Sequence, residues 1–162
     1  MLASRHLALL IPALVVACAS ASEVERPPVT VTASTNPTDL RLGDTARVVI
    51  DLVNVSNEVV WIGPAGCNYD FVIANAAGAV FHPAEQIYCT LALLAPVELS
   101  PGETYQIQAF TTGRVIAQGS QAEPSMLEPG TYSIRAVLAV LRGQEDHIQV
   151  KSSPSTITFR AN

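Results

Sequence analysis

The chain has 162 residues, a formal net charge of −5 and only 14% charged residues. It contains no cluster of basic residues, so a nucleic acid is excluded as an expected partner. Once an N-terminal targeting segment is set aside, about 145 residues remain, which is the size of one domain with its own hydrophobic core.

Residues 7–16, "LALLIPALVV", form an apolar segment near the N-terminus. The segment is too short to cross a bilayer of about 30 Å, which needs about 20 residues, and its length is typical of an export signal. The overlapping "VVAC", residues 15–18, resembles a bacterial lipobox, in which the signal is cut before the cysteine and a lipid is attached to its thiol. This resemblance implies a signal peptide over residues 1–17 and lipidation of Cys18. An ordinary secretory signal cut after "ASA", residues 19–21, is the alternative.

Residues 18–28 begin with Cys18 and continue with small, polar and proline residues that show no hydrophobic period. Such a composition predicts a flexible tether between a lipid anchor and a domain. We therefore expect an exported protein that is anchored in a membrane of the bacterial cell envelope, with free secretion as the alternative. Ala19 is not the aspartate that keeps many Gram-negative lipoproteins at the inner membrane, so the lipobox resemblance implies the outer membrane in such an organism.

The three cysteines of the chain leave an odd thiol that needs an explanation in an exported protein. Lipidation of Cys18 supplies it and leaves Cys67 and Cys89 as a pair. In an oxidising compartment we expect this pair to form a disulfide, which would stabilise the fold by roughly 3 kcal/mol. Two free buried thiols and two metal ligands are the alternatives, and the sequence has no CxxC pair of the kind that zinc sites use.

From Val29 onward, apolar and polar residues alternate, which predicts one domain over residues 29–162 built from half-buried antiparallel strands. Turn signals separate these strands at "NAAG", "SPGE", "EPGT", "RGQED" and "SSPS". Seven to nine short strands in a domain of this size predict an immunoglobulin-like β-sandwich. Trp61 lies in the apolar "VVWIG" and is expected in the core. Four sets of residues are each expected to share a buried face: Val48, Ile50 and Leu52; Tyr69, Phe71 and Ile73; Tyr105, Ile107 and Ala109; Ile157 and Phe159.

Four segments of the chain occur in the order "VNVSNEVVWI", "CNYDFVIANAAGAVF", "LSPGETYQIQAF" and "LEPGTYSIRAVLAVL", and a closing strand "SSPSTITF" follows them. This succession resembles the BsuPI-type domain, a family named for an intracellular proteinase inhibitor. The resemblance covers about residues 40–160 and implies an immunoglobulin-like sandwich. The export signal and the pair Cys67 and Cys89 are departures from the family's namesake, so an intracellular inhibitory role does not transfer.

No catalytic motif is present: the sequence lacks GxSxG, HExxH and a glycine-rich phosphate loop. His82 precedes a proline, and His147 lies beside two carboxylates in a predicted turn, where a solvated polar turn is commoner than a metal site. Asp39, Asp44 and Asp51 are scattered along strand edges and form no dyad that spacing reveals. We therefore predict that the protein is not an enzyme and needs no metal or cofactor.

Binding is the remaining class of function. Residues 112–127 form the longest stretch between predicted strands and contain Arg114, Val115 and Ile116. This stretch is the candidate for an exposed loop that enters a protease cleft as an extended strand. A plain connection with a short edge strand at "RVIAQ" is the alternative, and residues 81–88 form a second candidate surface. We predict a lipid-anchored interaction or structural module with a protein partner in the envelope, and proteinase inhibition around Arg114 is the alternative.

Overall fold

The computed structural model describes residues 27–63, 69–85, 96–119, 123–142 and 146–162. The secondary-structure elements within these ranges are thirteen β-strands. Among the described residues no helix has the length and hydrophobicity needed to cross a membrane. The strands are β1 Val29–Asn36, β2 Asp39–Arg41, β3 Ala46–Asn54, β4 Val60–Ile62, β5 Tyr69–Ala74, β6 Val80–Pro83, β7 Val97–Leu99, β8 Thr104–Thr111, β9 Arg114–Ala117, β10 Ser125–Met126, β11 Gly130–Arg142, β12 Asp146–Lys151 and β13 Ser155–Arg160.

The smaller sheet consists of β1, β3 and β8 in the order β1-β3-β8. Both pairings are antiparallel, and Ile50 at the centre of β3 lies opposite Ala33 of β1 and Ile107 of β8. Alternate residues of β3 are buried, as its sequence pattern predicts, because successive side chains of a strand point to opposite faces. The inner face of this sheet therefore supplies one half of the core.

The larger sheet is organised around the thirteen-residue strand β11. On one side β11 pairs with β13 and then β12, and on the other side it pairs with β5 and then β4. The sheet continues from β5 through β6 and β9 to β10, and from β13 to β2. All of these pairings are antiparallel except that of β13 with β2, which is parallel.

The two sheets pack face to face around one apolar core, so the predicted antiparallel β-sandwich is confirmed. Nearly all predicted inward residues with described side chains are buried, and Tyr105 is half-buried against the core. The structure has more strands than the seven to nine predicted, since it includes several short strands of two or three residues in the larger sheet. The largest fully buried side chains are Phe159, Ile50, Leu52, Ile62, Ile73, Leu99, Ile134, Leu138, Ile157, Val29, Val48 and Val60.

Tyr132 connects β11 to the turn that precedes it. Its hydroxyl donates a hydrogen bond to the backbone carbonyl of Glu128 at 2.8 Å, and its ring packs edge-on against Phe159 with centroids 5.9 Å apart. A tyrosine at the start of this strand that bonds to backbone a few residues upstream is the tyrosine corner of immunoglobulin-like domains. This contact therefore supports the immunoglobulin type of sandwich independently of the strand count.

Candidate functional site

The predicted binding loop around Arg114 is a strand in the structure, so the prediction of an exposed loop is wrong. Residues Arg114–Ala117 form β9, which pairs with β6 on one side and β10 on the other. Val115 is 2% exposed and belongs to the core, Ile116 is half-buried, and Arg114 is exposed. The backbone of Arg114 and Val115 pairs with β10, and that of Val115, Ile116 and Ala117 pairs with β6, so these residues do not form a free loop that could extend into a protease cleft.

The second predicted surface, residues 81–88, is described only as far as Glu85. Its first part is strand β6, and Glu85 accepts a hydrogen bond from the hydroxyl of Thr112. Trp61 was expected in the core, and this expectation is wrong. Val60 and Ile62 are buried on either side of it, so the alternation of β4 turns the indole to the outer face, where it is half-buried.

The residues considered for metal binding do not form a site in the part of the chain that the structure describes. No group of three or more His, Cys, Asp or Glu side chains there is arranged to hold a metal ion. His82 lies half-buried in β6, and His147 lies in β12 with its backbone opposite Leu141. The three cysteines, Cys18, Cys67 and Cys89, lie outside the described residues, so their predicted roles stay predictions.

The structure does bring together charged residues that the sequence leaves far apart. Asp39 and Arg41 of β2 lie beside Arg160 of β13, because these two strands pair in parallel with Arg160 directly opposite Arg41. Together with Leu40 and Asp44 they line a shallow open pocket. We call this end of the sandwich the Arg160 pole and define it by these five residues.

The charges of the Arg160 pole are balanced and partly paired. Arg160 forms a salt bridge with Asp39, and the hydrogen bond to that carboxylate, followed by its charge, raises the pKa of the guanidinium above its ordinary value. The Asp44 carboxylate accepts a hydrogen bond from the backbone N–H of Arg41 at 3.3 Å, which closes the turn after β2. The side chain of Arg41 is exposed. The pole thus offers polar hydrogen-bonding groups and no nucleophile held against a base.

The position of the Arg160 pole follows from the hydrogen bonds of its turn. The N–H of Leu42 donates to the carbonyl of Arg160, and the N–H of Gly43 donates to the carbonyl of Thr112, each at 3.0 Å. Gly43 has a φ of 90°, a conformation that glycine adopts without steric cost. The turn is therefore fixed to the ends of β13 and β8, and the pole is a built surface of the domain.

The opposite end of the sandwich is organised by Asn54, which is 1% exposed. Its amide nitrogen donates to the carbonyls of Glu58 and Leu99, both at 2.8 Å. Its carbonyl oxygen accepts from the backbone N–H and the hydroxyl of Ser56, at 3.0 and 2.7 Å. Beside it, the N–H of Val55 donates to the carbonyl of Pro28 at 2.9 Å, just before β1 begins. We call this end the Asn54 pole and define it by Pro28, the turn at residues 54–58 and the turn at residues 100–103.

Sequence reasoning missed both poles. Asn54 lies in "VNVSNEVVWI", and nothing in that segment shows that its amide joins three segments of chain. Asp39 and Asp44 form no recognisable pair in the sequence, and Arg160, the salt-bridge partner of Asp39, lies 121 positions after it. A polar residue at the end of an alternating strand, where an apolar one is expected, was the available signal for Asn54.

Comparison with known proteins supports the fold and nothing narrower. No family model matches the chain, and no curated protein matches it. The chain is similar to the X-ray structure of the structural genomics target SoR45, with a TM-score of 0.53 and 12% identity over 82% of this chain and 87% of that chain. It also matches the C-terminal domain of wzt, with a TM-score of 0.47 and 13% identity over 85% of this chain and 75% of that chain. The CARDB domain of the PF1109 protein from Pyrococcus furiosus matches with a TM-score of 0.41 and 14% identity, over 83% and 94% of the two chains.

Proposed function

We propose that the protein is a non-catalytic, lipid-anchored module of the bacterial cell envelope that recognises or assembles with a protein partner. The observation that carries the proposal is where the described core begins. Val29 is 0% exposed and is the first residue of β1. The predicted tether ends at residue 28, so the sandwich starts where the tether stops. Cys18 then remains available as an attachment point ahead of the domain.

The Arg160 pole is the surface that we propose for partner recognition. Loops at the ends of a sandwich are held by a rigid scaffold and commonly carry binding residues. This pole combines exposed charges of both signs with a turn that is fixed to two strands. Paired opposite charges favour a partner with a complementary pattern of charge, which contributes more to specificity than to affinity.

The proposal includes a disulfide between Cys67 and Cys89, and the described flanking residues support it. Ile62 lies opposite Val97 of β7 and Val140 of β11. Tyr69, at the start of β5, lies opposite Leu138, two positions from Val140. Ile62 and Tyr69, which flank the stretch that carries Cys67, therefore lie near Val97, which follows the stretch that carries Cys89. A disulfide needs Cα atoms within about 7 Å of each other, and neighbouring ends make that approach feasible.

Intact mass of the protein from bacterial membranes tests the anchor and the disulfide together. The wild-type chain is compared with a Cys18→Ala variant, each with and without reductant. The proposal expects a diacyl or triacyl mass increment that the variant loses, and a mass gain of two hydrogen atoms when the disulfide is reduced to two thiols. A protein that begins near Ser22 without lipid would contradict the anchor and would indicate a freely secreted domain.

Partner recognition is tested by cross-linking in intact cells with two matched charge reversals. Arg41 and Arg135 are both exposed, but Arg135 lies on the outer face of β11, away from the Arg160 pole. We expect Arg41→Glu to lose a specific cross-linked species that Arg135→Glu retains. Equal retention or equal loss in the two variants would remove the Arg160 pole from the proposal.

Proteinase inhibition through Arg114 has less support than the proposed role. Inhibition of this kind requires a loop that can adopt an extended conformation in a protease cleft, but residues Arg114–Ala117 form strand β9. Val115, at the centre of the candidate set, is part of the core and is unavailable for such contacts. The BsuPI resemblance stays a prediction, and the described structure offers no exposed inhibitory loop at Arg114.

A further inference from the structure

The two poles differ in their relation to the point where the chain enters the sandwich. Val29, the first residue of β1, lies directly opposite Asn54 at the end of β3. At the other end of β3, Ala46 lies opposite Thr111, next to the turn of the Arg160 pole. The nine residues of β3 therefore separate the two poles, a distance of about 27 Å at the usual rise of a strand.

The length of the tether sets how far the anchor can lie from this entry point. Ten residues beyond Cys18 bring the chain to Pro28, whose carbonyl is held by the N–H of Val55. Fully extended, such a segment reaches at most about 36 Å, and as a flexible chain it spans about 16–19 Å on average. An orientation with the Arg160 pole against the membrane would require the tether to run about 27 Å along the outside of the domain. That length is well above the average span of the tether and about three-quarters of its full extension, so the orientation carries an entropic cost.

The surface chemistry of the Asn54 pole indicates how closely it approaches lipid. Val55 is 56% exposed and points an apolar side chain outward next to the entry point. Glu98 and Glu103 are also exposed near this pole, and carboxylates are repelled by an anionic lipid surface. The pole therefore gains little from adhesion to lipid, and the tether is what keeps it near the membrane.

We infer that the Asn54 pole faces the lipid surface and that the Arg160 pole points away from it, toward the aqueous side. This inference rests on the proposed lipidation of Cys18, and it adds an orientation to that anchor. The lipid surface is the occupant next to the Asn54 pole, because only ten residues lead from the proposed lipidated Cys18 to Pro28, which lies at this pole. The proposed recognition surface is then the part of the domain farthest from the membrane.

Single-tryptophan quenching by lipid tests this orientation. Trp61 is the sole tryptophan of the chain, so a Trp61→Phe variant has no tryptophan fluorescence. One new tryptophan can then be introduced into this variant at an exposed position. Val55→Trp reports from the Asn54 pole, and Thr45→Trp reports from the turn of the Arg160 pole. The lipidated full-length proteins are reconstituted into vesicles of phosphatidylethanolamine and phosphatidylglycerol, with a fraction of lipids carrying a nitroxide on the headgroup. Ser100→Trp and Asn162→Trp form a second pair at exposed positions in case either of the first variants fails to fold.

We expect the lipid nitroxides to quench the tryptophan at the Asn54 pole strongly and the tryptophan at the Arg160 pole little. Equal quenching at the two poles, or stronger quenching at the Arg160 pole, would overturn the orientation while the anchor stands. Intact mass is measured on the same samples, and a Cys18→Ala version of each protein supplies the unanchored baseline. Absence of lipid on Cys18, with no quenching at either pole, would instead refute the proposed anchor and the orientation with it.

Discussion

Replacement of Asn54 by alanine should destabilise the domain strongly, because its buried amide joins several parts of one end of the sandwich. The substitution removes four hydrogen bonds that connect the end of β3 to the 54–58 turn and to β7. The bond to Leu99 is buried, so the carbonyl of Leu99 would be left without that donor. A buried polar group that loses its partner costs about 1–3 kcal/mol, and a more accessible bond such as that to Glu58 costs about 1 kcal/mol.

These contributions sum to a loss of about 3 kcal/mol in the free energy of unfolding, which is a large fraction of the about 5–15 kcal/mol that stabilises a typical domain. For a domain of this size the melting temperature should fall by about 10 °C. Urea denaturation followed by circular dichroism, and thermal denaturation under the same conditions, measure the two quantities. The full mature chain is used in each case.

Asn75→Ala is the matched control for this prediction. The carbonyl oxygen of Asn75 accepts one hydrogen bond from the N–H of Ala79, at 2.8 Å, in an exposed turn. Water can replace that bond, so we expect a loss of at most about 1 kcal/mol. If Asn54→Ala proved no more destabilising than Asn75→Ala, the role of Asn54 as the organising residue of its pole would be refuted.

Three further predictions concern the core and the proposed disulfide. Gly113→Ala should cost at least about 1 kcal/mol more than Gly78→Ala, since both glycines have positive φ but only at Gly113 would a Cβ lie 3.0 Å from two side chains; equal unfolding energies would refute this. Tyr132→Phe should lower the free energy of unfolding by about 1 kcal/mol. We expect the stability of the wild type to decline above pH 10 and that of the variant to lack this decline. Burial, and then a neighbouring carboxylate, raises the pKa of this phenol above 10.0 in the folded state. Its contribution is therefore complete below pH 10 and disappears as the pH rises through the folded pKa, so an identical alkaline decline in the variant would contradict the assignment. Reduction of the proposed bond between Cys67 and Cys89 should lower stability by roughly 3 kcal/mol, whereas a reductant without effect on urea midpoints would argue for two free thiols.

The long strands could be predicted because their faces are set by local sequence. In β3 the alternation of valine, isoleucine and leucine with Arg47 and Asp51 fixes which side is buried, whatever the rest of the chain does. The same reasoning succeeded for β8 and for Ile157 and Phe159 of β13. Alternation of apolar and polar residues with a period of two therefore predicts the fold class and most of the core residues.

The short strands could not be predicted in the same way. Trp61 lies in an unbroken apolar run, where alternation gives no indication of the buried side, and pairing with β11 and β7 decides it. The segment Arg114–Ala117 is short and lies between Gly113 and Gly119, so the sequence leaves a loop and a short edge strand both open, and pairing with β6 and β10 makes it a strand. The charged cluster of the Arg160 pole depends on a parallel pairing of β2 with β13, and no local pattern encodes that contact.

The separation of the two poles allows their roles to be tested independently. Arg41 at the Arg160 pole is exposed, so Arg41→Glu should reduce partner recognition with little change in stability. Asn54→Ala should reduce stability and leave the Arg160 pole unchanged in the molecules that remain folded. Because about 27 Å separates the poles, the effects of the two substitutions on unfolding free energy should add to within about 0.5 kcal/mol in the double variant. A larger deviation from additivity would mean that the poles are coupled through the core, and partner binding at one end would then alter the end that faces the membrane.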